Sequence, residues 1–208
     1  MARSAIGRLY EREVLSRLLD HAMRGVDDVR AEIVRPLSGR VLELGFGTGA
    51  TLPFYGTGVS ELVAVEPAEE LAGIARRRLL ESGRAHQLVV ASATRPLPLD
   101  AESFDAVVVA FVLCSVERTA ELLAEVRRLL RPGAPLVLAE HVEGTGARRR
   151  AQHAIRPVWK PLLGGCDPAK DTASLVRAAG FETSALERRE LRLPWIVGSG
   201  LVGRAVRA

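Results

Sequence analysis

Asparagine is absent from the 208 residues, and lysine occurs only at Lys160 and Lys170. The net charge of +4 therefore rests on arginine, interleaved with glutamate and aspartate. Such interleaving reads as a solvated surface and not as a nucleic-acid face, and the run Arg148-Arg149-Arg150 reads as a solvated loop. Cysteine appears twice, at Cys114 and Cys166. Two thiols in a chain of this length exclude a disulfide framework. Neither sits in a C-x-x-C, and no histidine pair completes a ligand set, so no metal centre is expected. No apolar run approaches the roughly 20 residues that span a bilayer. The first residues carry no long apolar segment. The expectation is a cytoplasmic protein without stable membrane insertion.

What is present is a core. Hydrophobic residues make up 48% of the chain, too many for a disordered protein. The length suits one domain over 1–208. Apolar residues at helical spacing predict a helix at 10–23, and Asp27-Asp28 open a second at 27–34. From residue 40 onward strands and helices alternate. Strands are predicted at 40–44, 61–65, 87–91, 106–112 and 135–140. Helices are predicted at 68–82 and 117–130, the second stopped by Arg131-Pro132-Gly133. That order means a parallel sheet covered on both faces, with ligands at the carboxyl ends of its strands. Residues 141–168 read as irregular. A helix at 171–179 and two strands, at 181–188 and 193–207, close the chain. The division is a helical cap (1–39), a cofactor-binding core (40–140) and a substrate-side insertion with final strands (141–208).

The stretch Val41-Leu42-Glu43-Leu44-Gly45-Phe46-Gly47-Thr48-Gly49-Ala50 organises this pattern. A strand runs into a glycine turn that lets a ligand lie against the backbone. Gly45 to Ala50 also fits the dinucleotide fingerprint, which leaves a nicotinamide-dependent oxidoreductase open. Glu43 bears on that choice. A carboxylate beside the turn opposes a pyrophosphate and suits a cationic ligand without phosphate, such as S-adenosylmethionine. Glu66, at the end of the second strand, can accept both ribose hydroxyls of either ligand.

With Val65-Glu66-Pro67, Leu97-Pro98-Leu99-Asp100, Ser103-Phe104-Asp105 and Leu129-Leu130-Arg131-Pro132-Gly133 in the same order, the chain resembles the class I S-adenosylmethionine-dependent methyltransferases. The resemblance implies a Rossmann-like α/β fold, a seven-stranded mostly parallel sheet with its last strand antiparallel. It implies that Gly45, Phe46, Gly47 and Gly49 lie along the cofactor, with Glu43 near its methionine end. Glu66 would hold the ribose and Pro67 would flank the adenine. Ser92 and Ala93 stand where many relatives carry an acid and a small residue. Ala110 and Phe111 would line the cofactor's other side. Phe111-Val112-Leu113-Cys114-Ser115-Val116, Glu140-His141-Val142, Trp159 and Gly165-Cys166-Asp167 are similar to the small thiol methyltransferases. That similarity implies a small lipophilic acceptor, with a thiol favoured. A phenol, lipid amine or quinone precursor is the alternative, and a non-catalytic cofactor-binding protein the alternative of another class.

Methyl transfer from a sulfonium mainly requires acceptor and methyl to be held in line, and a base only where the acceptor must lose a proton. His141, at the end of the fifth strand, is a candidate base or thiolate-stabilising group; the plainer role is orienting a loop. Tyr10 in the cap can close over the cofactor or the acceptor, or simply pack. Cys114, Trp159 and Cys166 are expected to shape an apolar acceptor pocket, with Cys114 buried. His21, His86 and His153 read as surface or cap residues.

Overall fold

Residues 41–44, 62–65, 106–109 and 136–139 are buried without interruption. Such runs fit strands covered on both faces. In the computed structural model, which describes residues 23–207, they are the central strands of an eight-stranded sheet. The strands are β1 (Gly39–Leu44), β2 (Val59–Val65), β3 (His86–Val89), β4 (Ala106–Ala110), β5 (Pro135–His141), β6 (Phe181–Glu182), β7 (Leu186–Glu190) and β8 (Ser199–Arg207). Their order is β3-β2-β1-β4-β5-β8-β6, with β7 also paired to β8. All pairs from β3 to β5 are parallel, and β8 is antiparallel. Alternate residues feed two cores. Leu42, Leu44, Val107, Val109 and Leu138 pack on one face with Leu123 and Val126. Val41, Val108 and Val137 pack on the other with Ile33, Ala75 and Leu79.

The helices of the described residues are α1 (Asp27–Val34), α2 (Glu69–Glu81), α3 (Thr119–Leu129), α4 (Gly146–Leu162) and α5 (Thr172–Ala178). Asp171 caps α5 by accepting from the Ser174 amide. The N-terminal helix expected at 10–23, and Tyr10 with it, lie outside the described residues.

Two expectations need correction. The sheet has eight strands because the predicted strand at 181–188 is broken. β6 and β7 follow one another along β8 with a one-residue shift in register, from Glu182↔Val206 to Leu186↔Gly203. A Cβ on Gly203, at φ +139, would stand 2.2 Å from the Ala185 carbonyl oxygen, so the bulge there requires glycine. The segment after β5 is not irregular. It holds α4, which carries both Pro157 and Pro161 and includes the arginine run read as a loop. Arginine, alanine and glutamine favour helix there. The buried Gln152 side chain anchors it, accepting from the Gly144 amide and donating to the Val142 and Ile196 carbonyls.

Strand order reverses between β1 and β4. The loops leaving these two strands meet at the switch point, where open α/β sheets place their ligands.

Candidate functional site

The glycine turn leaves β1 at this point. Gly45 has φ +68, and a Cβ on it would lie 2.4 Å from Val112 of the loop after β4. Only glycine lets the two loops touch. Gly47, at φ +59, faces the opposite condition: among the described residues nothing stands nearer to an added Cβ than 4.0 Å. The turn is thus closed on the β4 side and open where a ligand would lie. Gly45 and Phe46 amides donate to the Val65 carbonyl, binding the turn to the end of β2.

Glu66 strengthens that link. Its carboxylate accepts from the Gly47 amide at 2.9 Å and the Ala68 amide at 2.8 Å. Burial pushes its pKa up, opposed by these two bonds. Pro67 beside it is exposed. Glu43 is almost wholly buried. Thr51 Oγ1 donates to its carboxylate at 2.6 Å and the Tyr55 hydroxyl at 2.8 Å. Burial raises the Glu43 carboxyl to about 7, against the pull of Thr51, Tyr55 and the Arg30 charge. Burial and Glu43 also push the Tyr55 phenol well up. Ser92 is exposed and bonds Thr94, whereas Ala93 is buried. Ala110 and Phe111 are half-buried beside the turn, Phe111 at φ +60 with its amide donating to the Ala139 carbonyl. That backbone turn explains why β4 stops at Ala110 and not at 112.

On the neighbouring strand, Glu140 is fully buried. Its carboxylate accepts from the amides of Val112 and Leu113, each at 2.7 Å, and of Cys114 at 3.3 Å. Burial raises its pKa, opposed by those bonds and the His141 charge. One side chain of β5 therefore shapes the loop after β4. Lys170 completes the clamp by donating to the Leu113 carbonyl and Thr119 Oγ1, both at 2.7 Å. Burial lowers its pKa.

His141 ends β5 and is buried. Its Nε2 lies 3.0 Å from Cys166 Sγ, and the Trp159 indole donates to the same sulfur at 3.4 Å. The Asp167 amide donates to the Cys114 carbonyl at 2.9 Å. The sulfurs of Cys114 and Cys166 and a ring nitrogen of His141 lie within 4.8 Å of one another. Burial pulls the His141 pKa down, but Cys166, Glu140 and Asp167 outweigh it and the net direction is up. The neighbouring Cys114 and burial push the Cys166 thiol up. Four residues expected to face the acceptor are thus brought together. Of the four, Cys114 borders an open cavity of about 350 Å³, whose other walls include the charged Glu117, Arg156, Lys160, Asp167 and Lys170.

His86 and His153 stand apart from this cluster. His86 contacts the Arg84 carbonyl and His153 the Glu143 carboxylate; His21 lies outside the described residues. Arg148 forms a two-pronged pair with Glu190 and stacks over Trp195, and Arg149 pairs with Glu143. Sequence reasoning assigned no role to Thr51, Tyr55, Glu140 or Lys170. Glu140 alone carried a signal, an acid ending an otherwise apolar strand beside His141.

A backbone-lined turn at the switch point, held by the Glu66 carboxylate from the end of β2, and a polar cluster across β4 and β5 thus share the carboxyl edge of the sheet. Residues 42–138 match the methyltransferase domain family, and the chain belongs to the S-adenosylmethionine-dependent methyltransferases. It is 35% identical to the human thiol S-methyltransferase TMT1B over 177 residues, 82% of this chain and 72% of that protein. Human TMT1A is 31% identical over 80% of this chain and 70% of its own length. The fold matches an S-adenosylmethionine-dependent methyltransferase structure from Thermotoga maritima with TM-score 0.70 and 21% identity, covering 97% of this chain and 99% of that one. Family membership favours methyl transfer over the dinucleotide reading of the glycine turn. Among the described residues no helix is long and apolar enough to cross a membrane.

Proposed function

We propose that this protein transfers the methyl group of S-adenosylmethionine to a small lipophilic thiol. The carrying observation is the convergence of Cys114, His141, Trp159 and Cys166 on the loop that presses Val112 against Gly45. The donor and acceptor sides of the reaction are thereby joined through one loop. The relatives named as thiol S-methyltransferases support the choice of acceptor.

The residues fit the cofactor. Open space at Gly47 leaves room along the turn, and the rigidly held Glu66 carboxylate still has lone pairs for two ribose hydroxyls. Gly45, Phe46 and Gly49 would complete the cradle, Pro67, Ser92 and Ala93 would meet the adenine, and Ala110 and Phe111 would close the far side. Glu43 favours the cationic methionine end from below the turn. When bound, the cofactor supplies an electrophilic methyl on a sulfonium, whose thioether leaving group needs no acid. The protein's part is alignment and acceptor activation. A thiol with pKa about 8.5 needs modest help at neutral pH. His141 is the group placed to relieve the thiol of its proton or to stabilise the thiolate. Trp159 and the cysteines supply soft, polarisable contacts.

The test is a panel of thiols, phenols, amines and quinone precursors with methyl-labelled cofactor. Thiol products are expected. Methylation confined to the other acceptors would retire the thiol assignment in favour of quinone or lipid-amine chemistry. That second reading has its own support. The demethylmenaquinone methyltransferase of Clavibacter sepedonicus is 37% identical, though over only 51% of this chain and 43% of its own.

A further inference from the structure

Two sulfurs and an imidazole nitrogen converge at the carboxyl edge of the sheet, from three separate segments. Cys114 follows β4, His141 ends β5, and Cys166 closes the turn after α4. With thiolate and imidazole donors this is a set for a borderline-soft divalent cation, and three protein ligands are the usual complement of a catalytic zinc. Tetrahedral zinc with Zn–S about 2.3 Å and Zn–N about 2.0 Å places its donors roughly 3.5–3.8 Å apart. The separations here lie within 4.8 Å, and the 3.0 Å between His141 Nε2 and Cys166 Sγ need open only slightly.

The surroundings are built to hold this arrangement. The Asp167 amide ties the Cys166 segment to the Cys114 carbonyl. Gly165, at φ +91, lets that segment approach, since a Cβ on it would stand 3.2 Å from the Ser115 carbonyl oxygen. Glu140 fixes the Cys114 amide and Lys170 the carbonyls of Leu113 and Val116. The Trp159 indole donates to Cys166 Sγ, the kind of outer contact that orients a metal thiolate. With Nε2 on a cation, the ring proton would sit on Nδ1, which is buried without a hydrogen-bond partner among the described residues. The next acid along, Asp167, is committed to Arg156 at 2.6 Å. Two thiolates and a divalent cation sum to zero charge, which suits a buried site.

We propose that Cys114 Sγ, His141 Nε2 and Cys166 Sγ bind one zinc-like divalent cation and leave a fourth position open for the sulfur of the acceptor. The ligand role rests on the geometry alone; the fourth position rests on the thiol reading above. Metal binding releases two thiol protons to solvent. With Nε2 on the cation His141 no longer serves as the base proposed above, and the acceptor thiol instead loses its proton to solvent on coordination, as a thiol does on a metal. Its sulfur pair then forms the new S–CH3 bond while the sulfonium C–S bond breaks. That bonding pair stays on the departing thioether of S-adenosylhomocysteine, and the methylated product, now a neutral thioether, is a weak ligand and departs.

The experiment titrates chelator-stripped full-length protein with cobalt(II) and follows absorption. One equivalent per chain is expected, with a near-ultraviolet thiolate-to-cobalt charge-transfer band and strong tetrahedral visible bands, displaced by zinc. Cys114→Ser and Cys166→Ser should each lose charge-transfer intensity. Trp159→Phe should keep the spectrum with roughly 10-fold weaker affinity. Wild-type protein without a charge-transfer band overturns the proposal, as does a band of full strength in both cysteine variants. Adding a thiol acceptor should shift the visible bands, and a phenol of the same shape should not. Cobalt bound as described while the panel shows no thiol methylation keeps the metal ligands and retires the thiol reading. Thiol methylation at full rate by stripped protein retires the fourth-position role.

Discussion

The two sides of the switch point are built in different ways. On the side proposed for the cofactor, contiguous residues do the work: β1 runs straight into the glycine turn, and Val65 and Glu66 hold that turn through its amides. On the side proposed for the acceptor, side chains from 114, 141, 159 and 166 converge, and Glu140 and Lys170 hold the loop that carries Cys114. A site made of backbone constrains a short stretch of sequence to a recognisable form. A site made of side chains constrains only where distant segments meet, which leaves the acceptor free to differ between relatives of one fold.

Replacing Glu140 should show the largest effect on this contrast. Glu140→Leu leaves three buried amides without an acceptor, a loss of about 3 kcal/mol or more in urea unfolding. Glu140→Gln should recover part of that. A loss below about 1 kcal/mol would mean that the loop after β4 holds its shape without the β5 carboxylate. Next comes the contact that joins the two sides. Gly45→Ala forces positive φ on alanine and a clash with Val112, for a cost of about 2–3 kcal/mol. Val112→Ala in the same chain should return about half, the φ strain remaining. Strict additivity of the two substitutions would separate the loops that the fold presses together.

Glu66→Ala should weaken cofactor binding by roughly 1–3 kcal/mol, through loss of charge-assisted hydrogen bonds. Calorimetry with S-adenosylhomocysteine reads this directly, and unchanged affinity would mean the ribose acid is misassigned. The smallest effect on cofactor binding carries a pH signature. The Glu43 carboxyl sits at about 7 in the folded protein, above its ordinary value near 4.3. A raised folded pKa gives stability that is complete below about 4.3 and is lost as pH rises through 7. Glu43→Gln lacks that loss, so its thermal midpoint should exceed the native one at pH 8, and the two should draw together near pH 4. A cationic ligand favours ionised Glu43, so native cofactor affinity should rise through pH 7 while the glutamine variant stays flat and roughly 1–2 kcal/mol weaker at pH 8. Parallel pH profiles would remove Glu43 from the cofactor's charge environment.

The same contrast explains what the sequence disclosed. Alternating apolar runs and terminators located β1 to β5 and the helices between them to within a few residues, because local periodicity and burial agree there. β4 was read too long because nothing local marks Phe111 as a positive-φ residue. α4 was hidden by Pro157 and Pro161, which usually end a helix, and its anchor is a tertiary bond set on Gln152. The break between β6 and β7 depends on Gly203 meeting Ala185 across the sheet, a contact no spacing rule shows. The residues proposed for the cofactor stand out in the sequence as one motif and one acid. His141 beside the end of β4 follows from parallel neighbours sharing a carboxyl edge. That Cys166 would reach it required α4 to turn the chain back, so no closely spaced ligand pair marks the cluster in the sequence.

The central claim, that this fold delivers a methyl group to sulfur, is tested most directly by an acceptor carrying both candidate atoms. Given 4-mercaptophenol and methyl-labelled S-adenosylmethionine, the protein should yield the S-methyl product, identified by mass spectrometry and by its remaining phenol. Label found only on the phenolic oxygen would contradict the account.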